Sequence, residues 1–111
     1  MEHFNHITDA IQIASQYQFG YFNTVLSTVN DHVLRLSVMT EPFYWHFHPN
    51  SDEIFLILKG VLLIELESET IELSPGQLFA VQRNVPHRTS PKYGRTVNFT
   101  FEHQSMETVK I

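Results

Sequence analysis

A change of hydrophobic period after Gly20 sets the main limit on how this chain can fold. Leu34, Leu36 and Val38 alternate with Arg35 and Ser37. Leu62, Ile64 and Leu66 alternate with Glu65 and Glu67, and Ile71 and Leu73 flank Glu72. Val97, Phe99 and Phe101 alternate with Asn98 and Thr100. A period of two places successive side chains on opposite faces, the pattern of half-buried strands. Turn signals punctuate them closely: Asn30-Asp31, Pro49-Asn50, Lys59-Gly60, Ser74-Pro75-Gly76, Asn84, and Pro91 through Gly94. Many short strands at this spacing predict an all-β sandwich or barrel. Ile54 to Leu58 is apolar throughout, which predicts a strand covered on both faces.

Ahead of Gly20 the period is helical. Phe4, Ile7, Ile11, Ala14 and Tyr17 fall three and four apart, and Asp9 with Gln12 has the form of a capping box. This predicts a short N-terminal α-helix over about residues 8–18, ahead of a barrel core over about 21–103. A chain of 111 residues, 42% hydrophobic, is expected to form one domain, 1–111. It has no cysteine, which excludes disulfides, thiolate zinc sites and cysteine nucleophiles. Seven Lys and Arg stand against twelve Asp and Glu, a net charge of −5 that argues against a nucleic-acid partner. The longest apolar run, Ile54 to Leu58, is too short to cross a bilayer, so no membrane partner is expected. The first residues lack the basic-apolar-small succession of a secretory signal, and a cytoplasmic protein is expected. Only 17% of residues are charged, which suits a domain with much buried surface, a subunit interface included.

Three of the seven histidines stand at meaningful spacing. On an extended strand His46 and His48 point the same way, with Tyr44 beside them. Pro49 and Asn50 turn the chain, and a hairpin would return the Glu53 carboxylate beside the two imidazoles. A fourth donor is available in His87, after the Asn84 turn. Three imidazole nitrogens and one carboxylate oxygen suit a divalent first-row ion such as Fe, Mn, Ni or Zn. On an octahedral ion they leave two positions open, as catalytic sites do.

These residues resemble the cupin family. Its first motif, G-x5-H-x-H-x3–4-E-x6-G, is matched here by His46-x-His48-x4-Glu53-x6-Gly60, with Thr40 where the leading glycine belongs. Its second, G-x5-P-x-G-x2-H-x3-N, is matched by Gly76 and His87. Gln82 stands in place of the proline, Asn84 in place of the glycine and Pro91 in place of the asparagine. Asn tolerates a left-handed backbone, so the turn at Asn84 can survive. The resemblance spans residues 32 to 102 approximately. It implies a double-stranded β-helix, or jelly-roll barrel, with a mononuclear metal on His46, His48, Glu53 and His87, in a homodimer.

The resulting expectation is a small metal-binding cupin. As an enzyme of dioxygenase or isomerase/cyclase type, it would act on a small, largely apolar or aromatic substrate whose oxygen reaches the metal. The alternative is a binding or sensing module without turnover. The apolar character is inferred from the side chains expected to face the cavity: Tyr44, Phe55, Ile57 and one face of Val97 to Phe101. Arg35 is the one basic residue able to change that reading, since phosphate recognition needs charge-assisted donors. Tyr44 and His32 are the candidate catalytic residues. Tyr44 shares the inward parity of His46, and His32 opens a strand where a turn role and a pocket role compete. His3, His6 and His103 are expected at the surface.

Overall fold

The computed structural model describes residues 6–111. Its helix, α1 (Ala10–Ala14), is shorter than the periodicity predicts. Asp9 caps it as expected, its carboxylate accepting from the Gln12 backbone N–H at 3.1 Å. The helix then tightens: Gln16 N–H reaches back to Ile13 O and Tyr17 N–H to Ala14 O, each three residues away. The side chain of Arg95 meets the end. Its Nη2 donates to Ala14 O at 2.8 Å and to Tyr17 O at 2.9 Å, satisfying carbonyls that a helix end leaves open. The predicted apolar stripe packs only at its C-terminal end, through Ala14 and Tyr17, while Ile11 is 40% exposed. Ile7 is 96% exposed, Phe4 lies outside the described residues, and Ala10, Ile13, Ala14 and Tyr17 make the contact with the sheet.

Ten strands follow: β1 (Tyr21–Val29), β2 (His32–Met39), β3 (His46–Phe47), β4 (Glu53–Lys59), β5 (Leu62–Glu65), β6 (Thr70–Leu73), β7 (Leu78–Val81), β8 (Arg88–Pro91), β9 (Thr96–His103) and β10 (Val109–Lys110). Each alternating segment of the sequence falls on one of them, although β5 ends at Glu65, before Leu66 and Glu67. One antiparallel sheet has the order β1-β2-β9-β4-β7; a second has β6-β5-β8, and β10 pairs with β3. The described residues are mostly β with one short helix, as the period predicts. Among the described residues no helix is long and apolar enough to cross a membrane.

The five-stranded sheet carries buried apolar residues on both faces, and the two faces do different work. Leu36, Val38 and Val97 turn toward α1 and are buried with Ala14. Shifts of register around Leu26 in β1 and Leu58 in β4 let these leucines join the same cluster. The opposite face meets the second sheet through Met39, Phe55, Ile57, Leu62, Ile64, Leu73 and Val81. That inner core fills one part of the space between the sheets. The remainder is a cavity of about 200 Å³.

This arrangement reverses one expectation. The strand β9 turns Asn98, Thr100 and Glu102 toward the cavity, while Val97 and Phe99 pack on the helix side. Placing the apolar residues inward presupposes a single buried face. The helix provides a second apolar cover, so the polar face of β9 is the inner one.

Candidate metal centre and cavity

His46, His48, Glu53 and His87 are all buried, and one ligand atom from each lies within 4.8 Å of the others. Their elements differ from the predicted hairpin. Glu53 opens β4, which pairs with β7 and β9 but not with β3. Pro49 to Asp52 therefore carries the chain from the β3–β10 pair to the five-stranded sheet. His87 enters through a backbone bridge to His46, in which His46 N–H donates to His87 O at 3.0 Å and His87 N–H donates to His46 O at 2.9 Å. Asn84 makes the preceding turn with φ +68°, in the left-handed region that its place in the motif requires.

The tautomer of each imidazole follows from its surroundings. His46 Nδ1 lies 2.7 Å from Tyr44 O, His48 Nδ1 2.9 Å from Glu107 O, and His87 Nδ1 2.9 Å from Val85 O. A carbonyl only accepts, so each Nδ1 carries the proton, and in the neutral ring each Nε2 keeps a bare lone pair. Carbonyls in this position orient and enrich metal-ligating imidazoles. The Nε2 atoms of His48 and His87 lie 3.2 and 3.7 Å from Glu53 Oε1. All three atoms are buried and none makes an aligned hydrogen bond. Orphaned polar atoms converging in this way fit a divalent cation, which would satisfy them together.

Electrostatics support the same ligand set. Burial pushes His46 down to about 4, so this ring is neutral at physiological pH. Burial also disfavours the charged form of His48, but the Glu53 carboxylate outweighs it and the net shift is upward. Glu53 is held down at about 2: burial opposes its ionisation, and the close approach of His48 and His87 overcomes it. A carboxylate ionised at physiological pH beside imidazoles is a hard-and-borderline donor set suited to Fe, Mn, Ni or Zn.

The cavity beside these ligands has two kinds of wall. Met39, Phe43, Phe55 and Leu62 line one side. Asn23, Arg35, Ser37, Asn98, Thr100 and Glu102 form the polar side. A largely apolar lining is thus corrected to a mixed one. Arg35 does face inward, but its charge is neutralised: Nε donates to Glu102 Oε2 at 2.7 Å and Nη1 to Asn23 Oδ1 at 3.1 Å. Burial and the nearby Glu53 charge raise the pKa of Glu102, against the lowering effect of Arg35.

Two candidates lie elsewhere. Tyr44 is 40% exposed and outside the cavity lining, because residues 43–45 are not in a strand and the parity argument does not apply there. Its ring stacks on Phe43, which does line the cavity, and its carbonyl orients His46. His32 stacks on Phe101 and bonds Asp31 at 2.9 Å, in a surface hollow with His103, Asn50 and Arg83. His32 is not brought to the four metal-site residues, whereas Tyr44 packs edge-on against His46 with ring centroids 5.5 Å apart but stays outside the cavity. Glu102, Thr100 and Asn98 are cavity residues that the sequence reading does not single out. Their signal is present as an alternation whose polar face is ordinarily given to solvent.

Residues 33–95 match the family model described as the cupin domain, more than half of the chain. The chain therefore belongs to the cupin family. It is 41% identical over 102 residues to the uncharacterized protein YdbB of Bacillus subtilis strain 168, covering 91% of this chain and 89% of that one. A cupin-2 domain containing protein from Shewanella frigidimarina superposes with TM-score 0.81 at 23% identity, over 87% of this chain and 94% of that one. A protein with a double-stranded β-helix domain from Klebsiella pneumoniae gives 0.76 at 11% identity, over 96% and 98%. These likenesses establish the fold as the double-stranded β-helix.

Proposed function

We propose that this cupin is a mononuclear metal-dependent enzyme, of dioxygenase or isomerase/cyclase type, acting on a small oxygen-bearing substrate. The observation that carries the reading is the convergence of bare imidazole nitrogens and the Glu53 oxygen at the edge of a cavity, with every Nδ1 engaged by a carbonyl. His46, His48, Glu53 and His87 would hold the ion. When bound, a divalent ion there supplies Lewis-acid polarisation of a substrate oxygen, with open coordination positions. The protein's part is positional. Glu107 O, Tyr44 O and Val85 O aim the rings, and Met39, Phe43, Phe55 and Leu62 receive the apolar part of the substrate. The small charged fraction and the exposed Phe19, Val25 and Val29 on and beside edge strand β1 support a homodimer.

Elemental mass spectrometry on untagged protein purified without chelator tests the reading. About one equivalent of a first-row metal is expected, and its loss in His48→Ala. Absence of metal from both proteins defeats the proposal. A metallated protein that binds enols, catechols or keto acids without changing them would instead be a binding or sensing module.

A further inference from the structure

Glu102 is 2% exposed, yet its Oε1 has no hydrogen-bond partner. One oxygen of this carboxylate, Oε2, is held by Arg35, and the residue lines the cavity. Thr100, two residues earlier on the same face of β9, is also buried, and its Oγ1 has no partner. A buried polar group left unpaired costs free energy, and an ionised one costs more. The two lie close enough to influence each other, yet neither makes an aligned hydrogen bond; on one strand and facing one cavity, they mark a place for a polar ligand atom. Their position is set by register. Glu102 pairs with Glu53 across β4 and β9, and Thr100 pairs with Phe55. Directly opposed Cβ atoms lie about 4.5–5.5 Å apart, so one small molecule can reach both the Glu53 ligand set and the Glu102 carboxylate.

We infer that Glu102 Oε1 and Thr100 Oγ1 form a hydroxyl-binding subsite, and that the substrates of this protein are small hydroxylated compounds with a second oxygen for the metal. The inference deepens the function proposed above and rests on it for that second oxygen. A carboxylate oxygen accepts, so the ligand group must donate. The Thr100 hydroxyl can donate or accept, which a hydroxyl ligand satisfies in return. Arg35 fixes the carboxylate and offsets its charge, so the subsite favours a neutral donor over a cation. A site built to bond a hydroxyl discriminates strongly against the analogue that lacks one.

Isothermal titration of the zinc-loaded protein with 4-hydroxypentanoate, pentanoate and 4-oxopentanoate tests this. Zinc is redox-inert, and the three probes share a carboxylate for the metal. Wild type is expected to bind the hydroxy acid at least about tenfold more tightly than pentanoate, the range for a hydrogen bond to a charged group. Glu102→Gln is expected to reverse the hydroxy-over-keto preference. Arg35 Nε only donates, so it would hold the amide oxygen and turn the NH2 group into the cavity. Thr100→Val, nearly isosteric, should weaken the hydroxy acid selectively and covers the case in which Glu102→Gln does not fold. Equal affinity of wild type for the hydroxy and deoxy acids overturns the inference, as would no binding of any probe or an unchanged hydroxy-to-keto ratio in Glu102→Gln. If pentanoate binding needs zinc and is lost in His48→Ala while no hydroxyl preference exists, the metal reading stands and this one falls. If protein that takes up no zinc still prefers the hydroxy acid, the metal reading falls and the hydroxyl subsite stands.

Discussion

Replacing Gly60 by alanine should destabilise this protein far more than the same change at Gly76, although both glycines sit at nearly the same backbone conformation. Their φ angles are +79° and +85°. An L-residue in the left-handed region costs about 1–2 kcal/mol, and the lower entropy of the unfolded alanine chain returns about 0.4–1 kcal/mol of that. Gly76 has open space where a Cβ would stand, so Gly76→Ala should cost only about 1 kcal/mol. At Gly60 the Cβ would overlap the carbonyl oxygen of Arg95 and lie 3.2 Å from Thr96 Cα and 3.3 Å from Arg95 C. These are backbone atoms and cannot rotate aside. Moving them adds an overpacking cost of about 1–3 kcal/mol, for a total of about 3 kcal/mol. With roughly 4 °C lost per kcal/mol in a chain of this size, the melting temperature should fall about 12 °C for Gly60→Ala and about 4 °C for Gly76→Ala. Thermal denaturation followed by circular dichroism, with urea midpoints as a check, measures both. Equal losses would contradict this account, because they would show that the close approach of Arg95 contributes nothing and that φ alone explains both glycines.

Metal occupancy should fall with pH, because each Nε2 must be unprotonated to ligate. His48, shifted upward by the Glu53 carboxylate, takes up a proton at higher pH than His46 as the solution is acidified, whereas His46, near 4, and Glu53, near 2, retain their ligand forms. Full occupancy at pH 5 would count against His48 as a ligand. Asn50 bonds both Ser105 O and Glu107 N and so holds the carbonyl that orients His48. Asn50→Ala should weaken metal affinity about tenfold or more, with the melting temperature of the metal-free protein little changed, as judged by competition with a chelating dye. Arg95→Ala removes the guanidinium that caps α1 and should cost about 2 kcal/mol. Faster amide exchange at the backbone N–H groups of Ile13 and Ser15 would report it, and unchanged exchange there would contradict the capping role.

Much of the site could be read from residue order because its determinants are local. His46 and His48 share a face through a period of two. Gly60 and Asn84 mark turns with positive φ, and those conformations are what their residue types tolerate best. Tyr44 shows where local reasoning stops. Parity extends an argument only along an extended strand, and β3 begins at His46. The helix shows the same limit. Asp9 marks its start, but its end depends on Arg95, which lies 78 positions beyond Tyr17 in the chain.

Strand periodicity, the β class and the identity of four donors able to hold a metal are all contained in residue order, since they depend on side-chain chemistry and near-neighbour spacing. Which face of each strand lies inside is not. On β9 the alternation of Val97, Phe99 and Phe101 with Asn98, Thr100 and Glu102 reads identically in either orientation. The choice is made by contacts distant in the chain: α1 covers the apolar face, and the cavity opposite turns Arg35 onto Glu102 from 67 residues away. Burial is a property of what packs against a strand, and a strand's own sequence does not contain its neighbours.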